Sequence, residues 1–374
     1  MARVEPQVLE PVISQGVCYA LYAYDAGLAI DLDESERRIT SMTQRATIRH
    51  KHRAPKYFEY RPAPLRVTQE IEPIALGDFR TTGFVDAVLY DFGAISVAYQ
   101  IPLSGPLSRL VRLSEDLYDS DSLLADSRRR VEQLLGTVAG AVTRARIADF
   151  VEPYCIFEIG EFTPPCPPAA LYTTYAHEVA QILRAERQPL SQQEVDDAIG
   201  YHISFGPDDV AVIDWDVALV ADRDAEDLRA VLEFANVELL EMRYLDQQLD
   251  DALDESYDAL SRTSRFGLFR STRAELRRVG RLQVDNALLF EGVNNALKLL
   301  GDQYLARVYR LVSSRFHLAE WDASILRKLE TIESIYQKVS DQAANRRIEA
   351  LEWIVIALIA LEIVLPSVSR LLAR

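Results

Sequence analysis

In the first half of the chain, short β-rich runs alternate with helix-periodic ones, a pattern that predicts a mixed α/β domain. "GVCYALYAY" reads as a strand, and the acidic "DLDESERR" after it as a short helix. "FVDAVLYDFGAISVAYQI" reads as a hairpin. Its turn falls at Asp91-Phe92-Gly93, where glycine supplies a conformation that other residues resist. "SEDLYDSDSLLADSRRRVEQLLGTVAGAV" is helical and "PYCIFEIGEF" is again a strand. The prolines of "TPPCPPAA" fix φ and lack a donor, so residues 163–168 read as an extended connector. A helix, "ALYTTYAHEVAQILRAE", comes next. "LSQQEVDDAIGY" then carries Ser191 and Glu194 at capping-box spacing. "YHISFGPDDVAVIDWDVALVAD" closes this half as a second hairpin, turning at Gly206-Pro207-Asp208-Asp209.

From Asp224 onward Gly and Pro nearly vanish, and three heptad-like stripes appear. The first runs Leu228, Leu232, Ala235, Leu239, Met242, Leu245, Leu249. The second runs Val279, Leu282, Asn286, Leu289, Val293, Ala296, Leu300 in steps of three and four. The third runs Ile325, Leu329, Ile332, Tyr336, Val339, Ala343. Asn286 lies on the second seam, where a polar residue costs stability and fixes register or partner number. The pattern predicts a helical coiled-coil stalk over 224–349; ordinary helices packed inside one domain give the same stripes.

The third stripe runs into "RIEALEWIVIALIALEIVLPSVSRLLAR". Leu351 to Leu365 is apolar except at Glu352 and Glu362. Trp353 stands where an interfacial aromatic belongs, and arginines flank both ends. A carboxylate such as Glu362 costs about 2.5–3.5 kcal/mol inside a membrane. Each Leu, Ile or Val returns about 0.3–0.6 kcal/mol, so the sum is near zero. The expectation is a hydrophobic helix over 350–368 that spans or lies on a membrane, with the bulk facing the cytoplasm. A buried helix at an oligomer interface is the alternative.

"RRIEALEWIVIALIALEIVL" resembles the C-terminal signature of the required-for-meiotic-nuclear-division family, whose molecular function is unknown. The matching positions are Glu352, Trp353, Ile354 to Leu361, Glu362, Ile363 and Val364. "VLEFANVELLEMRYLDQQLDDAL" resembles the helix after that family's α/β domain, and "VLYDFGAISVAY" its hairpin. The resemblance covers residues 84–100 and 210–368, and the chain departs from it in a long insert around 101–200. It implies a membrane association like that of eukaryotic relatives at the mitochondrial inner membrane. Their support of organellar translation does not carry over to a chain that opens without a transit peptide.

Charge sharpens one region. The chain has 374 residues and a formal charge of −16, which argues against bulk nucleic-acid binding. Yet residues 37–66 hold nine Lys or Arg and one acid, a local +8. Arg49, Lys51, Arg53, Lys56 and Arg61 interleave with Tyr57, Phe58 and Tyr60. Such a mixture contacts phosphates and stacks on bases, or meets anionic lipid headgroups. The plainer reading is a contact with the acidic remainder of the protein. Three cysteines without CxxC spacing fit a reducing compartment rather than a disulfide framework.

Little in the sequence points to catalysis or metal. His50 and His52 have ligand spacing on a strand, without a nearby third ligand. In "IDWDVAL", a strand puts Asp214 and Asp216 about 7 Å apart on one face, with Trp215 on the other. Paired carboxylates do acid–base work, but aspartates flanking a turn are commoner. No phosphate-binding, nucleophile-elbow or zinc-protease motif is present.

The expected architecture is therefore α+β: a mixed domain over 1–222, the helical stalk, then the hydrophobic helix. The expected function is a membrane-anchored, self-associating scaffold or adaptor, without catalysis or cofactor. The alternative is a soluble oligomer that binds RNA or another anionic partner through residues 37–66.

Overall fold

The predicted strand "GVCYALYAY" lies at the middle of the largest sheet. In the computed structural model, which describes residues 10–43, 48–49, 63–262 and 303–372, it forms β1 (Val12–Asp25). β1 runs antiparallel to both β8 (Ala94–Pro106) and β10 (Val151–Thr163). Outward from β8 come β7 (Phe84–Leu89), β4 (Leu65–Glu70) and the two-residue β3 (Ile48–Arg49). Outward from β10 come β13 (Val217–Ala221), parallel to it, then β12 (Val210–Ile213) and β11 (His202–Ile203). The short pairs β2 (Ala29–Ile30) with β9 (Val142–Thr143), and β5 (Ala75–Leu76) with β6 (Phe79–Arg80), stand apart.

Both faces of the sheet are covered, so its central strands are apolar on alternate positions of each face. Cys18, Ala20, Tyr22 and Tyr24 face one layer, built from α1 (Leu32–Thr43), α2 (Arg109–Tyr118), α3 (Asp121–Val138), α5 (Ala176–Leu183) and α6 (Gln192–Ile199), with the single turn α4 (Pro168–Leu171). The stretch expected as one helix thus breaks at Asp119-Ser120 into α2 and α3. Ser191 caps α6, accepting from the Glu194 N–H at 3.3 Å. On the opposite face, α7 (Glu226–Arg262) sets Phe234 against Tyr90, and Phe316, after α8 (Gln303–Arg315), meets Tyr154 edge-on. The last helix is α9 (Leu318–Leu372).

The hairpin expected at Asp91-Phe92-Gly93 is β7–β8. Gly93 has φ +107°, and a Cβ there would lie 1.8 Å from the Gly27 carbonyl oxygen, so only glycine fits. The chain divides into two compact units, Met1–Tyr244 with Ala287–Asp322, and Leu245–Asn286 with Ala323–Arg374. The mixed α+β architecture stands in the first of these.

The helical stripes behave differently from one another. The first is buried at all seven positions, and as far as Met242 it belongs to the α+β unit. The second, with Asn286, lies outside the described residues. The third is buried at Ile325, Leu329 and Ile332, in the second unit. There Lys328 sits 2.7 Å from both Asp246 and Asp250.

The expected membrane anchor is corrected. Among the described residues, no helix is long and apolar enough to cross a membrane. Glu352 and Glu362 leave nine uninterrupted apolar residues between them. Nine helical residues rise about 14 Å, under half of the roughly 30 Å hydrocarbon core. Neither a span over 350–368 nor a membrane-associated location is supported, and Trp353 and Glu362 lose their membrane role. Both are residues of α9, and Trp353 is exposed there.

Candidate functional site

The segment "IDWDVAL" is a tight turn between β12 and β13, not one strand. The Asp214 N–H donates to the Val217 carbonyl at 2.9 Å, closing the turn. Asp214 points inward and is 1% exposed, while Asp216 and Trp215 reach solvent. The two aspartates therefore do not share a face, because three residues reverse the chain where a strand would alternate.

An ionic network holds the turn, with Asp214 and Arg315 buried and Asp197 at the surface. Arg315, at the end of α8, donates through Nε to Asp214 Oδ1 at 2.9 Å and through Nη2 to Asp197 Oδ2 at 2.8 Å. Arg184 Nη2 reaches the same Asp197 oxygen at 2.5 Å. Its Nε lies 3.1 Å from Asp214 Oδ2, an ion pair by distance but without hydrogen-bond alignment. Tyr154 donates to the Asp214 carbonyl at 3.2 Å. Burial raises the Asp214 carboxyl above the ordinary range, against the pull of Arg315 and Arg184. Burial and then the neighbouring Asp214 also raise Asp216, although solvent reaches it. Asp197 is lowered, first by its hydrogen bond from Arg315. Arg315 loses stability as a cation by burial but gains more from Asp197 and Asp214, and is raised. All four charges are committed to one another, which makes this a structural clamp rather than an acid–base pair.

Outside the clamp lies an exposed surface along α8. Leu305, Val308, Tyr309 and Val312 face inward, so Gln303, Arg307, Arg310 and Ser314 face out. Rings stand at both ends. Phe205, 75% exposed, meets Tyr304 at 5.2 Å, and the Arg307 guanidinium lies 5.8 Å from the Tyr304 ring. At the far end Trp215 and His317 lie 5.1 Å apart, their planes 31° from parallel. Positive φ at His317 follows the helix end, and its Nδ1 lies 3.4 Å from Glu320. Thirteen residues separate Tyr304 from His317, a rise of about 20 Å. Among the described residues, no carboxylate pairs with Arg307 or Arg310. Among the described residues, Arg310 donates to the Ala306 carbonyl of its own helix, at 3.3 Å.

Of the basic set expected to bind an anion, Arg49 lies in β3 opposite Thr68. Lys51, Arg53, Lys56 and Arg61 lie outside the described residues, as do His50 and His52. Among the described residues, no group of three His, Cys, Asp or Glu side chains is placed to hold a metal ion. Phe205, Tyr304, Arg307, Arg310 and His317 escaped sequence reading. The signal was present as a polar stripe at 303, 307, 310 and 314, in steps of four, three and four.

No solved structure matches the chain. A protein of Methanocaldococcus jannaschii described as "Uncharacterized protein MJ0711" is 22% identical over 262 residues, covering 68% of this chain and 78% of that protein. A family model described as "Uncharacterized protein MJ0711, N-terminal domain" matches residues 15–227. The resemblance to the required-for-meiotic-nuclear-division family is thereby overturned. It rested mainly on a Glu-Trp and apolar tail that any hydrophobic helix can mimic, whereas the match runs from β1 through β13 and takes in the helices α1 to α6. That match takes in more than half of the residues, and the chain belongs to the family of the MJ0711 N-terminal domain.

Proposed function

We propose that the chain is an oligomeric, non-catalytic protein that binds a single-stranded RNA. The observation that carries this is the exposed face of α8, where Arg307 and Arg310 lie between two aromatic ends. Arginines neutralise phosphates, and exposed rings stack on bases of any sequence. The basic stretch 37–66 supplies further positive charge in a chain that is otherwise strongly acidic. The test is fluorescence anisotropy with a labelled oligouridylate. Binding should weaken steeply with salt. R307E/R310E should weaken it more than tenfold and flatten the salt slope by about 1.4, two phosphates at about 0.7 each for a single strand. Phe205→Ala and Trp215→Ala should each cost about 1–3 kcal/mol if a base stacks there. Oligouridylate that fails to bind, or binds these variants as tightly as the parent, overturns the reading.

Self-association is favoured by a separate observation. On α9, every residue from Leu351 to Ile359 is exposed, among them seven large apolar side chains. A second copy covers them best. Two antiparallel copies centred near Ile354-Val355 set Arg347 of each opposite Glu362 of the other.

A further inference from the structure

We infer that the groove beside the free end of β10 binds an extended, basic peptide by strand addition. β10 pairs with β13 only from Cys155 to Ile159, and the Asp222 N–H to Ile159 carbonyl bond, at 3.1 Å, is the last rung on that side. β10 itself continues to Thr163, paired there with β1 alone among the described residues, across a register shift at Gln15 and with the Glu161 carbonyl accepting from the Ser14 hydroxyl at 3.1 Å. Where β13 leaves, a groove of about 640 Å³ opens, floored by Ile159 to Phe162. An unpaired strand end in a groove is a template for one more strand.

The walls keep this edge open. One is the connector Pro165 to Pro168 and the other begins at Pro207. Proline has no N–H, so Pro165, Pro167, Pro168 and Pro207 cannot donate to the β10 carbonyls. The loop at Pro207 is fixed by Asp209, which accepts from the Phe205 and Gly206 N–H groups at 2.7 and 2.6 Å. The stretch from Gly160 to Thr163 spans about 13 Å, and those of its main-chain groups that face away from β1 are open to a short added strand. Charge selects the occupant. Glu161, Asp208, Asp209 and Asp222 line the groove against Arg223 alone, so lysine or arginine at alternate positions is favoured.

The test uses the full chain and a fluorescein-labelled octapeptide of alternating Lys and Val, at physiological salt. Saturable binding is expected. Replacing Lys by Glu in the peptide should abolish it, and N-methylating alternate peptide bonds should weaken it more than tenfold, because methylation removes the donors on one edge. E161K/D208K, both exposed positions, should also weaken it more than tenfold, with an unchanged circular dichroism spectrum. Absence of saturable binding overturns the inference. So does binding that survives N-methylation, which means charge attraction without strand pairing, or binding indifferent to E161K/D208K. Oligouridylate binding should be unchanged in E161K/D208K, which keeps this result separate from the α8 reading.

Discussion

At the scale of single residues, the buried clamp around Asp214 has the clearest energetic consequence. Two charges taken out of water are tolerated because each faces an opposite one, and removing a single partner leaves the other exposed to the full desolvation penalty. Arg315→Ala leaves Asp214 with the Trp215 N–H, at 2.9 Å, and the misaligned Nε of Arg184. It should lower the unfolding free energy by about 3–5 kcal/mol, read by urea titration. A loss below about 1 kcal/mol would mean that water already screens the pair. The sequence favours aspartates at a turn over an acid–base pair, and a turn is what forms; the shared strand face is what the structure corrects. Their spacing fits a strand and a three-residue turn equally well. The decisive partner, Arg315, is 101 residues away, and no local pattern joins them.

Among the elements, α7 shows why a heptad stripe is ambiguous. The stripe from Leu228 to Met242 says that one face is apolar, but not whether another copy or the chain's own sheet covers it. Here the rest of the α+β unit does. The same helix buries Glu233, Asn236, Glu238 and Glu241, none of them on the apolar stripe. Asn236 donates to the Glu152 carbonyl at 3.1 Å, and Glu238 accepts from the Tyr309 hydroxyl at 2.6 Å. Burial pushes the Glu238 carboxyl up to about 7, with the Tyr309 hydrogen bond pulling the other way. The folded state therefore holds a proton that the unfolded state releases near pH 4.5. Stability from this group is full below pH 4.5 and is lost as pH rises to about 7, at up to about 1.4 kcal/mol per pH unit. Glu238→Gln stays neutral and can still accept from Tyr309. It should remove that decline between pH 5 and 7, measured as unfolding free energy against pH. An unchanged pH profile in this variant would show that Glu238 is already ionised in the fold.

For the whole molecule, the strongest demand for a partner comes from α9. Each large apolar side chain returns about 1.5–3 kcal/mol on full burial. Covering seven of them therefore yields roughly 10–20 kcal/mol, against an association cost of about 4–15 kcal/mol. The sequence made this band conspicuous. Its hydropathy points to a membrane, but hydropathy counts residues, whereas the position of the two glutamates decides how much lipid the helix could cross. A helix interrupted at Glu352 and Glu362 suits a protein surface better than lipid, and the proposed antiparallel packing of copies would bring Arg347 opposite Glu362. Light scattering on the full chain should give a mass at a multiple of 42.3 kDa. Ile356→Glu with Leu358→Glu places charge in the middle of the band and should return the mass to a single chain without changing the sheet's circular dichroism. Arg347→Glu should weaken association, and Arg347→Glu with Glu362→Arg should restore it, because the swap keeps the pairing and reverses its sense. A parent chain of single-chain mass, or a double exchange no better than the single one, would rule out this packing of copies through α9.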